Sequence, residues 1–220
     1  HEDHLNKNTL KKILLINPNI KILTNNSFNF NMGKLLKSYG FGDVISLSER
    51  KKYCFSNDLF LTRFPATGID NFLLIEYQNK KFLNLNDVVL SSIALKLLSR
   101  KIGEIEIIFS NFNHAGKLLK GSINNKNLRR DLINNFTNNL KPFNCKYFVP
   151  FASYHYYRAP ESSKQNLSLI KMNEIRSLSP KVIPLKVGEV LEYKVNERIY
   201  NIEKRLVINK NKKTYIKRTK

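Results

Sequence analysis

Ile69-Asp70-Asn71-Phe72-Leu73-Leu74-Ile75-Glu76-Tyr77-Gln78-Asn79-Lys80-Lys81-Phe82-Leu83-Asn84-Leu85-Asn86-Asp87 is the stretch that decides the fold. Two apolar runs, residues 72–77 and 82–85, flank Gln78-Asn79-Lys80, and so short a polar gap predicts a tight hairpin. Residues 88–100 follow with helical spacing, Ile93, Leu97 and Leu98 being expected on one side. A buried strand is then predicted at 105–109, centred on Ile107 and Ile108. Strands first in a hairpin, then separated by helices, imply sheets covered by helices, the layered α/β/β/α arrangement.

Working outward gives the same texture. Another apolar run, 59–64, precedes Pro65-Ala66-Thr67-Gly68. Nearer the start, Leu10, Ile13 and Leu14 have helical spacing, and Asn17-Pro18 halts that helix before a strand at 20–23. Residues 32–39 read as a second helix ended by Gly40, with a strand at 44–47 behind it. On the other side, a helix over 127–140 is stopped by Pro142 and a strand covers 147–151. Beyond Pro180, strands are expected at 182–185, 190–195, 199–202 and 206–208. There is no internal repeat. The 220 residues suit one domain, read as 1–195 with a basic strand or tail at 196–220. Because the chain opens on His1 with no strand before the first motif, it reads as the remainder of a longer protein.

The net charge of +21 suits a polyanionic partner, but Asn, Lys and Ile crowd the whole chain, so the bias touches every surface position. From Lys204 to Lys220 there are eight Lys or Arg and no acid, read as a solvated strand edge ahead of a phosphate-binding tail. No basic motif with interleaved aromatics stands out, so nucleic acid is an admissible but not favoured partner. No apolar run reaches the roughly 18 residues a membrane span needs, and no signal segment opens the chain. With Cys54 and Cys145 isolated, a cytoplasmic protein is expected. Nothing in the sequence bears on oligomeric state.

Chemistry is concentrated at the start. His1, Asp3 and His4 bring three groups able to ligate a divalent cation into one turn; imidazole and carboxylate suit zinc first, manganese or iron next. The plainer alternative is a helix N-terminus, with Asp3 favoured by the helix dipole. Asp87 directly follows the strand 82–85, where an open α/β sheet places its ligands, and there a carboxylate can reach a metal held by the first turn. Its alternative role is the N-cap of the helix 88–100.

HEDHL resembles the second half of the HxHxDH signature of the metallo-β-lactamase fold. IDNFLLIEYQNKKFLNLND, IIFSNFNHAGK and LKPFNCKYFVPFASYHYYRAPESSKQN are similar to the metallo-β-lactamase-fold part of the CMP-N-acetylneuraminate hydroxylase group and its bacterial relatives in surface-sugar clusters. The resemblance covers residues 1–192. It implies a four-layer αββα sandwich lacking its N-terminal strands. It also implies metal positions at His1, Asp3, His4 and Asp87, with Asp3 and Asp87 as the catalytic carboxylates. His155 is the candidate closing ligand, its alternative being a member of the aromatic cluster around it. Since that group acts on nucleotide-linked sugars, Tyr154, Tyr156 and Arg158 are expected to contact such a substrate, rings stacking and the guanidinium gripping phosphate. The alternative for this stretch is an aromatic strand edge.

The departures from the pattern are specific. No histidine lies between His4 and His114, which implies a one-metal site or a degenerate one. The Rieske cluster of the hydroxylases needs two Cys and two His in paired motifs, and Cys54 and Cys145 have no such neighbours. The resulting expectation is a metal-dependent hydrolase of a nucleotide-activated or surface-polysaccharide sugar. Its competitors are a non-catalytic nucleotide-sugar-binding domain with a decayed metal site and a nucleic-acid-processing member of the same fold.

Overall fold

The computed structural model describes residues 5–25, 31–66, 70–88, 90–113, 125–151, 156–160, 163–185, 189–191, 204–210 and 213–216. Its centre is a six-stranded sheet in the order β3-β4-β5-β6-β7-β8. Strands β3 (Lys52–Ser56), β4 (Leu59–Pro65), β5 (Asn71–Tyr77) and β6 (Lys80–Asn86) form an antiparallel meander. The predicted hairpin is present: Tyr77 pairs with Lys80, and Gln78 and Asn79 between them have φ 46° and 63°. Two consecutive positive φ values give the turn a twist that matches the strands it joins.

After β6 the pairing changes sense. Helix α3 (Ser92–Ile102) returns the chain to β7 (Ile105–Ser110), and α4 (Asn125–Leu140) returns it to β8 (Cys145–Pro150), both strands parallel to β6. Leu83, Ile108 and Phe148 stand in register across these three strands, all 0% exposed. Leu95, Leu98 and Ile102 of α3, Phe136 of α4 and Ile175 of α5 (Met172–Leu178) bury them, Phe136 meeting Phe148 edge-on at 4.5 Å. Each such side chain contributes about 1.5–3 kcal/mol on leaving water.

The expected inner side of α3 is corrected here. Leu98 is buried as expected, but Ile93 and Leu97 are exposed, 71% and 60%, and Leu95 and Ile102 take their place. The helix carries two overlapping apolar stripes, and the sheet selects one.

The opposite face of the sheet carries Phe82, Ile107, Phe109, Tyr147 and Val149, with Ile183, Leu185 and Leu191 packed on them. Leu191 belongs to β9 (Glu189–Leu191), which with β10 (Lys204–Lys210) and β11 (Lys213–Ile216) makes a three-stranded antiparallel sheet. Residues 182–185 are not a strand. Val182 makes one bridge to Phe148, and with the bonds Phe148 N–H to Lys181 O and Ile183 N–H to Phe148 O it covers the outer edge of β8. Of the strand expected at 190–195, residues 190–191 fall in β9; the rest of it and the strand expected at 199–202 lie outside the described residues.

Helices α1 (Lys7–Ile16) and α2 (Met32–Ser38) alternate with the short parallel strands β1 (Ile22–Thr24) and β2 (Val44–Ser46), as the two helix-then-strand readings at 10–23 and 32–47 predict. Asn6 and Asn31 cap the helices by accepting from Thr9 N and Lys34 N. Gly40, at φ 102°, ends α2, and a Cβ there would lie 3.1 Å from Leu14 Cδ2, so glycine also lets α1 approach. No helix among the described residues is long and apolar enough to cross a membrane.

Candidate metal and ligand site

Because β6, β7 and β8 are parallel, their C-terminal ends open onto one edge of the sheet. Asn111 N donates to Asn86 O at 2.8 Å and Phe151 N to Ser110 O at 3.0 Å, so hydrogen bonds tie the three ends together just past the last ladder pairs. Asp87 lies there, one residue beyond β6. Leu85 and Val88 on either side of it are 1% and 2% exposed, and Val88 N donates to Leu85 O at 3.0 Å. Two buried apolar anchors thus close a turn that leaves the Asp87 side chain exposed. Its carboxylate makes no hydrogen bond or ion pair with a described residue. The helix-cap alternative for Asp87 is corrected: α3 begins four residues later than that reading requires, and its N-cap is Ser91, whose Oγ accepts from Ala94 N at 3.2 Å.

The loops leaving β7 and β8 are held by asparagine side chains bonded to backbone. Asn113, 4% exposed, accepts from Ile170 N at 2.8 Å and donates to Ile170 O at 3.1 Å. Asn166 treats Tyr157 in the same way, accepting from Tyr157 N at 2.8 Å and donating to Tyr157 O at 2.9 Å. A primary amide presents a donor and an acceptor side by side, so each asparagine substitutes for a strand partner where no strand exists. Arg129 of α4 fixes the next segment, donating to Leu169 O at 2.7 Å and to the Glu174 carboxylate. That hydrogen bond from Arg129, helped by the Lys171 N–H, holds the Glu174 carboxyl below the usual carboxylate range.

Tyr156 and Arg158, on either side of the clamped Tyr157, are both exposed. They lie in an irregular segment, which corrects the strand-edge alternative for these residues. Within the 3-10 helix Ser163–Ser168, Gln165 is 4% exposed and its Oε1 has no hydrogen-bond partner among the described residues. An acceptor left so costs about 1–3 kcal/mol until a donor reaches it.

Among the sequence-expected site residues, Asp87, Tyr156 and Arg158 therefore stand on chain leaving the same edge of the sheet. His1, Asp3, His4, Tyr154 and His155 lie outside the described residues, as does His114. Among the described residues no group of three or more His, Cys, Asp or Glu is placed to hold a metal ion. Sequence reasoning missed Asn84, Asn86, Asn111 and Asn113. Their one signal is repetition, Asn-x-Asn at the end of two adjacent strands, and an Asn-rich chain hides it.

No protein-family model matches the chain, and no curated protein matches it. Its structure is similar to that of CmlA, a diiron β-hydroxylase from Streptomyces venezuelae, with TM-score 0.50 and 12% identity over 75% of this chain and 38% of that one. A mutant form of the same β-hydroxylase gives TM-score 0.53, again at 12% identity, covering 76% of this chain and 38% of the other. The likeness shows the fold: a mixed α/β chain of metallo-β-lactamase type. The chain spans 38% of the length of either structure.

Proposed function

We propose that this chain is a metal-dependent hydrolase-like domain that takes a nucleotide-activated or surface-polysaccharide sugar. The observation that carries the reading is Asp87, an exposed carboxylate engaged by no described residue, at the C-terminal edge of the parallel strands in a metallo-β-lactamase fold. A carboxylate in that state fits a divalent cation, because no described partner has to be displaced. His1, Asp3 and His4 would complete the donor set, with His155 closing it. When bound, a divalent ion supplies Lewis acidity at this edge. Zinc suits the proposed ligands, and iron or manganese are alternatives that metal analysis distinguishes.

The chain's own contribution is positioning. Leu85 and Val88 anchor the backbone on both sides of the Asp87 turn, which sets where its side chain leaves the chain. Arg158 grips a ligand phosphate, and the rings of Tyr156 and Tyr154 stack on the base or sugar. The buried Gln165 Oε1 is an acceptor suited to a sugar hydroxyl. The choice of a sugar nucleotide as ligand follows from reading the sequence over 1–192 as resembling the CMP-N-acetylneuraminate hydroxylase group. The same reading makes 1–195 the folded domain and 196–220 its basic extension.

The test is metal analysis of the purified protein and of Asp87→Ala, together with binding of a cytidine-linked sugar. Loss of metal from the variant with the fold intact supports Asp87 as a metal ligand, and loss of turnover with it supports hydrolysis. Unchanged metal content together with retained sugar binding that Arg158→Ala weakens identifies a binding domain instead. That second reading is favoured by one sequence fact, the lack of histidine between His4 and His114.

A further inference from the structure

Helices α3 and α4 pack on one side of the six-stranded sheet, yet their outer sides differ in kind. The exposed described residues of α4 include Asn127, Arg130, Asp131 and Asn134, with both signs of charge and no large apolar group. Its Leu132, Ile133 and Phe136 pack inward. The outer side of α3 instead presents Ile93, Lys96, Leu97 and Arg100, all exposed. Spacings of three and four residues place these four on one stripe. Leu95, Leu98 and Ile102 already fill the sheet side, so Ile93 and Leu97 add nothing to the core. The Lys-, Asn- and Ile-rich composition does not explain the stripe, since α4 shares that bias and exposes no large apolar side chain among its described residues.

Charge selects what would cover this face. Helix α3 contains no acidic residue, and Lys96 and Arg100 form no ion pair with a described residue. Lys101 adds a third cation, its Nζ 5.7 Å from the centre of the Phe64 ring. A second copy packed stripe to stripe would bring like charges together. A nucleic acid would satisfy the cations but offers two aliphatic side chains none of the stacking that an aromatic ring would gain. An anionic lipid surface takes both kinds of group: headgroup charge meets the cations, the acyl boundary takes the aliphatic groups, and no shaped groove is needed. The net charge of +21 attracts the whole chain to such a surface. We propose that the outer face of α3 docks on an anionic membrane surface, Ile93 and Leu97 entering between headgroups while Lys96, Arg100 and Lys101 lie against their charges. This docking is independent of any metal at Asp87.

Cosedimentation of the 220-residue chain with lipid vesicles tests the proposal. The parent should bind vesicles of phosphatidylcholine mixed with phosphatidylserine, should not bind phosphatidylcholine alone, and should bind less as salt is raised. Ile93→Ser combined with Leu97→Ser should weaken binding about tenfold or more at an unchanged melting temperature, because both side chains are already exposed to water. Lys96→Gln combined with Arg100→Gln should weaken it by about the same factor. Leu15→Ser combined with Ile16→Ser, at the other strongly exposed apolar pair, should leave binding unchanged, since those two residues end α1 away from this stripe. The chain has no tryptophan, so Leu97→Trp supplies a single reporter whose emission should shift to the blue on the anionic vesicles. The proposal is overturned by a parent that does not bind those vesicles, by an Ile93 and Leu97 double variant that binds like the parent, or by an unshifted tryptophan. Duplex DNA binding in place of vesicle binding would make the stripe a nucleic-acid contact. Self-association that disappears in the Ile93 and Leu97 variant, again without vesicle binding, would make it a contact between copies; either result overturns lipid docking.

Discussion

The middle and the end of β6 are held by different physics. At the middle, Leu83 lies in a row with Ile108 and Phe148, every member sealed between sheet and helices, and the energy scales with apolar area. At the end, the ladder shifts register between Asn84 and Asn86, and direction comes from single hydrogen bonds to backbone. Area is indifferent to angle, whereas a hydrogen bond is not. The middle therefore supplies stability, and the end supplies geometry at which a carboxylate can be left exposed.

Substitution should break the two regions in different ways. Phe148→Ala, which removes the ring packed edge-on against Phe136, should lower the unfolding free energy by about 3–5 kcal/mol, read from urea melts. A loss under about 1 kcal/mol would mean that the row is not the centre of the core. Asn113→Ala should cost less, about 2–3 kcal/mol, because it leaves the Ile170 N–H and C=O without partners. Amide exchange should then speed up at Ile170 before it does in β7. Uniform acceleration would place Asn113 with the core rather than with the edge.

Asn166→Ala, at the half-buried Tyr157 clamp, should be milder, about 1 kcal/mol, and should raise protease sensitivity around residues 156–160. Glu174 tests the electrostatic share. Its folded pKa is lowered, chiefly by the Arg129 hydrogen bond, so its contribution is present above the ordinary carboxylate range and is lost as pH falls through the folded value. Its side chain is 36% exposed, which limits the effect to about 0.5 kcal/mol after screening. Glu174→Gln should flatten the acid limb of the stability profile by that amount, and an unchanged limb would remove the pair from the account. The smallest change in stability belongs to Asp87→Ala, within about 0.5 kcal/mol, since an exposed carboxylate engaged by no described residue gives up nothing on removal. A large destabilisation would show that Asp87 serves the fold.

How much of this was legible follows from the range of each cause. The strands β4 to β8 and the helices between them were readable because apolar runs and helical spacing are local. β3, mostly exposed at the sheet edge, gave no such signal, and neither did α5 or the 3-10 helix Ser163–Ser168. In α3 the apolar residues were evident but their inward side was not, because the two stripes differ only in which of them meets the sheet.

The position of Asp87 after a strand could be read in the sequence; its freedom from capping α3 could not, since Ser91 was an equally good local cap. By itself the sequence determined the alternation of elements and the point at which a carboxylate leaves a parallel strand, because each depends on neighbours within a few positions. Tertiary structure alone decided which asparagines act. Asn113 finds its partner 57 residues away and Asn86 finds its own across the sheet, and a hydrogen bond specifies contact in space while leaving no periodicity in the chain.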